Sequence, residues 1–247
     1  MILRKLTQAL REQNWTAIVI EFVLLVSGVF LGLQVATWNE ERRDRVLARQ
    51  YLERLREDFS LSVTGAESSI ENMELQARRA TLVLDRLRAC RLEEGAQHAE
   101  FAAGLYVIGR LEPPTLTRGT MDELRSTGRL GIIRSVGLRQ KLSNVLQQQE
   151  RTVGVFGFLV ARRTAQLAYI DARNTVLVPQ EKDATTEPGP GEVLFDFPAL
   201  CRDPAYINAV SHLRQIAYVV IRQNRRLLKE YRAMEVLLEA ELDRAHR

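Results

Sequence analysis

The stretch AIVIEFVLLVSGVFLGLQVATW, residues 17–38, constrains this chain more than any other. Residues 16–37 hold one ionisable side chain, Glu21. Twenty-two residues of helix span about 33 Å, close to the roughly 30 Å of a bilayer's hydrocarbon core. Trp15 and Trp38, the only tryptophans, bracket the stretch. Indole rings favour the headgroup level, so the pair reads as two interface anchors. A buried core helix of this length would show a polar face, and this one does not. A cleaved signal peptide needs a small-residue site after a shorter apolar run. Gln34 and Ala36 do not make one, so the segment at 15–38 is expected to be an uncleaved transmembrane helix.

Residues 1–14 precede it. Ile2, Leu3, Leu6 and Leu10 recur at helical spacing, with Arg4, Lys5 and Arg11 between them. That pattern predicts a short amphipathic helix on an anionic leaflet. The basic tail favours an N-terminus in the cytoplasm and the main domain outside. Arg42, Arg43, Arg45 and Arg49 follow the span and pull the other way.

Glu21 shares a helical stripe with Leu25, Gly28, Gly32 and Val35. Gly28 and Gly32 form a GxxxG, which lets two backbones approach closely. Three readings of the carboxylate stay open. It is a near-interface acid, protonated or paired with Arg11 or Lys5 of a neighbour. Or it sets oligomer register. Or it carries protons, as intramembrane acids often do. Gln34 lies on another face and is a candidate for bonding a second helix.

Beyond Trp38, residues 39–247 are expected to form one helical domain. Ala48, Leu52, Leu55, Phe59, Ser62 and Ala66 step by four and three, and Ile70, Met73, Ala77, Ala80, Leu84 and Leu87 resume after an extra four-step. This predicts a coiled-coil-like helix with a stutter, and Gly65 marks a kink or break. Glu41 and Arg45 are placed for an i,i+4 ion pair. A break follows at 90–97, then a short helix over 98–110, ended by Pro113 and Pro114.

In TMDELRSTGRLGIIRSVGLRQKL, residues 120–142, Thr120 and Glu123 fit a capping box, Gly128 a left-handed stop and Ser135 an N-cap. Leu130 and Ile133 fold back as apolar plugs. The next helix runs to about 174, with Leu138, Leu142, Val145, Val153, Phe156, Val160, Leu167 and Ile170 as its buried stripe. The seven-residue gap is too long for a DNA-binding helix-turn-helix. Residues 175–203 carry four of the seven prolines and predict a surface loop, tacked down by Val193, Leu194, Phe195 and Phe197. Asp203 and Pro204 open the last helix. Its stripe is Tyr206, Val210, Leu213, Ile216, Val220, Leu227, Tyr231, Met234 and Leu238. The fold class is therefore all-α: a single transmembrane helix, then an antiparallel bundle.

Cys90 and Cys201 sit at the edges of helices. They either pair in an oxidising compartment or stay two small buried thiols. The net charge of +4 is too small for a nucleic-acid footprint. His98, His212 and His246 have no cysteine or carboxylate at metal spacing. There is no P-loop, no G-x-G-x-x-G after a strand and no G-x-S-x-G. No cofactor is expected, and the chain reads as a non-enzyme.

Two patches, EFVLLVSGVFLGLQVATWNEER and DELRSTGRLGIIRSVGLRQKL, resemble an uncharacterised family of small bacterial single-pass membrane proteins. The first patch matches at Glu21, Gln34, Trp38, Asn39 and Glu40. The second matches at Glu123, Leu124, Ser126, Thr127, Gly128, Leu130 and Ile133. The resemblance implies the architecture and a bacterial inner membrane, with no activity to transfer. The expected role is a membrane-anchored interaction or scaffold protein. Its expected partners are the lipid bilayer and a second copy or other membrane proteins, not nucleic acid. The alternatives are a subunit of a proton-coupled complex using Glu21, and an extracytoplasmic ligand sensor.

Overall fold

The computed structural model describes residues 15–177 and 192–245. The amphipathic segment expected at 1–14, the side chain of Trp15 and the Pro-Gly run at 188–191 lie outside the described residues. Helix α1 runs unbroken over Trp15–Ala89. The others are α2, Ala96–Val107; α3, Gly119–Ser126; α4, Val136–Asp171; α5, Phe197–Cys201; and α6, Pro204–Ala245. A 3-10 turn covers Arg129–Ile132. Strands β1, Asn174–Leu177, and β2, Glu192–Phe195, form an antiparallel pair with Asn174 opposite Phe195. The chain is all-α apart from this hairpin. It divides into two compact units, Met1–Tyr51 and Leu52–Arg247.

Unit 2 is built on three long helices. Every position of the α1 seam from Leu52 to Leu87 is buried, and so is the whole α6 stripe. The stripes meet because both repeat at 3.6 residues over ten turns. Asn224 Nδ2 donates to Ser69 Oγ at 2.8 Å inside this contact. Both groups are buried, so a slip of either helix leaves two polar groups unsatisfied. Arg225 pairs with Glu74 at 2.6 Å, and Arg232 with Glu67, at the rim. These pairs set α6 antiparallel to α1. Lys141–Glu230 and Arg162–His212 set α6 antiparallel to α4 as well. Helices α1 and α4 therefore point the same way.

The chain between them makes that possible. After α2, residues 108–118 return along α1. Asn72 Nδ2 donates to Glu112 at 2.8 Å, Thr117 N–H to Ser62 Oγ at 2.9 Å and Thr120 N–H to Asp58 at 3.0 Å. Gly65 belongs to this contact. A Cβ there would lie 2.8 Å from Thr115 Oγ1, while α1 continues through it as helix. The glycine makes room for the returning chain; it does not break the helix.

Several local expectations change. The α3 N-cap is Arg118, with no side-chain cap bond. Thr120 is buried instead, and Glu123 pairs with Arg54 at 2.7 Å, so no capping box forms. Gly128 does take the left-handed conformation (φ 68°), and Ser135 Oγ accepts from Leu138 N–H. Ile133 is buried and Leu130 half-buried. On α4 the buried stripe rotates to Gln149, Thr152 and Leu159. Val153 is 46% exposed, and Phe156, Val160 and Leu167 are half-buried. Arg45 Nε reaches the carbonyl oxygen of Glu41, not its carboxylate. Residues 174–177 and 192–195 are strand, not loop. Val193 is buried, while Phe195 and Phe197 pack on Phe101 at centroid distances of 5.0 and 5.4 Å; Leu194 points outward.

Candidate functional site

The apolar part of α1 is the strongest functional feature of the chain. An 18-residue window within it has mean hydropathy 1.9, and none of that window is buried. From Ile20 to Trp38 twelve large apolar side chains are exposed, with Phe22 and Leu24 at 67%. Each would forfeit about 1.5–3 kcal/mol in water relative to burial. The segment is helical because it lacks proline and because a helix satisfies every backbone N–H and C=O internally. Hydrocarbon imposes that same condition. Thr37 Oγ1 meets it too, donating to Leu33 O at 2.9 Å.

Glu21, Gly28, Gly32 and Gln34 all lie on this exposed helix. A Cβ added at Gly28 or Gly32 would meet nothing within 4 Å. The GxxxG face is therefore open to a second helix. Trp38 is exposed at the end of the stretch, beside Asn39 and Glu40. Among the described residues, none brings a side chain to Glu21, Gly28, Gly32 or Gln34.

It does bring the cysteines together. Cys90 and Cys201 form a disulfide with their Cα atoms 5.2 Å apart, across 111 residues of sequence. Cys90 has φ 49°, a left-handed conformation that ends α1. Cys201 closes α5 just before α6 begins.

A polar corner stands near that bond in sequence. Asp203 accepts from the N–H groups of Ala205 (2.9 Å) and Tyr206 (3.1 Å), and so caps α6 as expected. It also accepts from Tyr169 Oη (2.9 Å) and Arg173 Nε (2.8 Å). Desolvation works to raise the Asp203 pKa, but these hydrogen bonds outweigh it and hold the group below the usual carboxylate value. The same corner raises Tyr169, through desolvation and its bond to Asp203. Arg173 stacks 3.6 Å from the Tyr169 ring centroid. These bonds tie the end of α4 to the start of α6, so the cluster fixes the α4–α6 junction. Tyr169 and Arg173 carry no motif. Their i,i+4 spacing at a helix end, ahead of an Asp-Pro start, was the signal available.

Among the described residues no group of three His, Cys, Asp or Glu side chains is arranged to hold a metal. His98 stacks on Phe195 at 4.9 Å, and His212 lies 3.2 Å from Arg162. His246 lies outside the described residues. Comparison with protein-family models, characterised proteins and solved structures finds no match to this chain.

Proposed function

We propose that this chain is a single-pass membrane protein whose unit 2 serves as a helical interaction module, and that it self-associates through α1. The observation that carries the reading is the unburied apolar window of α1, set in the same helix as a seam that is buried throughout. Lipid is the solvent that makes such a surface stable. The open Gly28–Gly32 face supports self-association, since small residues are where helices approach in lipid. Glu21 lies on that stripe and contributes to its register. The likeness of two patches to small bacterial single-pass proteins supports the same architecture and a bacterial inner membrane. The Cys90–Cys201 bond supports a location of unit 2 outside the cytoplasm, because disulfides persist in oxidising compartments.

Carbonate washing followed by detergent extraction tests the anchor: the chain stays with membranes until detergent is added. Recovery as a soluble monomer overturns the reading. Mass measurement in detergent tests self-association. The wild type exceeds one chain, and Gly28→Leu with Gly32→Leu returns it to one. For sidedness, intact cells are treated with an impermeant reductant and an impermeant maleimide. Labelling of Cys90 and Cys201 before lysis is expected; labelling only after lysis places unit 2 inside.

A further inference from the structure

Two adjoining cavities in unit 2 share a wall. One, of about 870 Å³, lies between α2 and β2, with Tyr106, Val107 and Phe195 in its lining. The other, of about 550 Å³, is lined by Met73, Gln76 and Arg163 among others. Arg79, Val107 and Arg110 line both, so the two form one groove. This size suits a small organic molecule.

The groove gathers cations from three separate elements: Arg79 from α1, Arg110 from the returning segment and Arg163 from α4. None of them makes an ion pair with a described carboxylate. Two acids share the lining. Glu112 is engaged by Asn72, and Glu192 borders the larger cavity. Arg163 Nε and Gln76 Oε1 are buried without a hydrogen-bond partner, and both residues line the smaller cavity. Buried polar groups in folded proteins are almost always satisfied, so an unmet donor and acceptor on residues that line one cavity point to a polar partner, which a small shift of these side chains would admit. Arg110 lies 5.0 Å from the Tyr106 ring centroid, which orients its guanidinium. Guanidinium forks match the oxygens of phosphate and carboxylate. The larger cavity continues past Val107 toward Phe195, an apolar wall.

We propose that this groove binds a small phosphate monoester with an apolar substituent. Arg79, Arg110 and Arg163 hold the phosphoryl oxygens in the smaller cavity, and Gln76 accepts from a hydroxyl of the ligand. The substituent lies against Val107 and Phe195. The site stands whether or not α1 lies in lipid. A soluble phosphate ester and a lipid headgroup share this chemistry.

The test is calorimetric titration of the full chain in phosphatidylcholine nanodiscs with phenyl phosphate, inorganic phosphate and benzyl alcohol. Phenyl phosphate binds, inorganic phosphate binds about tenfold more weakly and benzyl alcohol does not bind. Arg163→Ala with Arg79→Ala weakens phenyl phosphate by about tenfold or more. Arg110 is exposed, so Arg110→Ala keeps the packing and must weaken it too, should the double variant fail to fold. Nanodiscs containing phosphatidic acid separate the sources. Competition with phenyl phosphate identifies a headgroup ligand, and its absence a soluble ester; both keep the site. No binding of phenyl phosphate at about 10 mM, equal binding by the arginine variants, or equal affinity for inorganic phosphate overturns the proposal.

Discussion

Residues 20–38 and residues 52–87 belong to one helix and each carry twelve large apolar side chains, crowded into 19 positions in the first and spread over 36 in the second, and they meet opposite fates. In the first stretch Leu24, Leu25, Leu31 and Leu33 are all exposed, and no residue of the stretch is buried. In the second, Leu52, Leu55, Leu84 and Leu87 are buried, and charged residues fill the positions between them. Density and pattern differ together, and the pattern decides which solvent each face can meet. Apolar residues placed all round a helix leave no face for water, so only lipid or another apolar helix suits them. Apolar residues at steps of three and four leave a wet face and build a core with their neighbours.

Experiments that treat the two stretches alike should therefore give different answers. The largest expected effect lies in unit 2 and involves its cross-link. Reducing the Cys90–Cys201 bond, whose ends are 111 positions apart in sequence, is expected to cost about 4–5 kcal/mol of unit 2 stability in the chain-entropy account. Denaturant titration with and without a thiol measures it, and helicity of the apolar stretch in detergent should not change. Next comes Leu84→Ala, at a fully buried position, with an expected loss of about 3 kcal/mol. An effect under about 1 kcal/mol would mean that the seam is not the core.

High pH should also act on one stretch only. Tyr206 is pushed up to about 12 by burial, against the hydrogen bond that Asn174 donates to it. Burial also raises Tyr231, whose Oη donates to Thr115 O. Unfolded tyrosine ionises near pH 10, so the unfolded chain releases its protons first. Stability is then complete below pH 10 and declines as pH rises through 12, by roughly 2–3 kcal/mol for Tyr206. Melting curves between pH 9 and pH 12 test this, and Tyr206→Phe should flatten the decline. Residues 16–37 contain no tyrosine and should keep their helicity. Smaller still is the Arg225–Glu74 pair at the rim. A double-mutant cycle there should give a coupling below about 1 kcal/mol, because both side chains reach solvent. The smallest effect is Leu33→Ala in detergent, off the Glu21–Gly28–Gly32 stripe, within about 0.5 kcal/mol of the wild type. A loss there as large as that of Leu84→Ala would erase the distinction between the stretches.

Periodic features were legible in the sequence, and long-range ones were not. The seam of α1 and the stripe of α6 follow from spacing alone, since each repeats over many turns and errors average out. The Asp203–Pro204 start and the Gly128 stop were legible because each is a local backbone requirement. Gly65 misled for the opposite reason: its neighbour is Thr115, fifty residues away. Thr120 misled because the carboxylate that takes its N–H belongs to Asp58 on another helix. The β1–β2 hairpin joins two four-residue runs across a long connection, too short a pattern for period two to register. On α4 Leu138, Leu142, Val145 and Ile170 are buried as the spacing predicts, but Gly154, Gly157 and Phe158 blur the period in the middle, where Thr152 and Leu159 are buried in place of Val153 and Val160. The groove left no trace in the sequence, because its arginines come from three elements and share no spacing.

The link between Cys90 and Cys201 has a consequence for how the chain comes apart. It joins the end of α1 to the start of α6 directly, bypassing everything in between. A protease cut anywhere within residues 91–200 therefore frees no fragment. The nicked molecule still migrates as one band, and only a thiol splits it into a piece carrying the apolar stretch and a piece carrying α6.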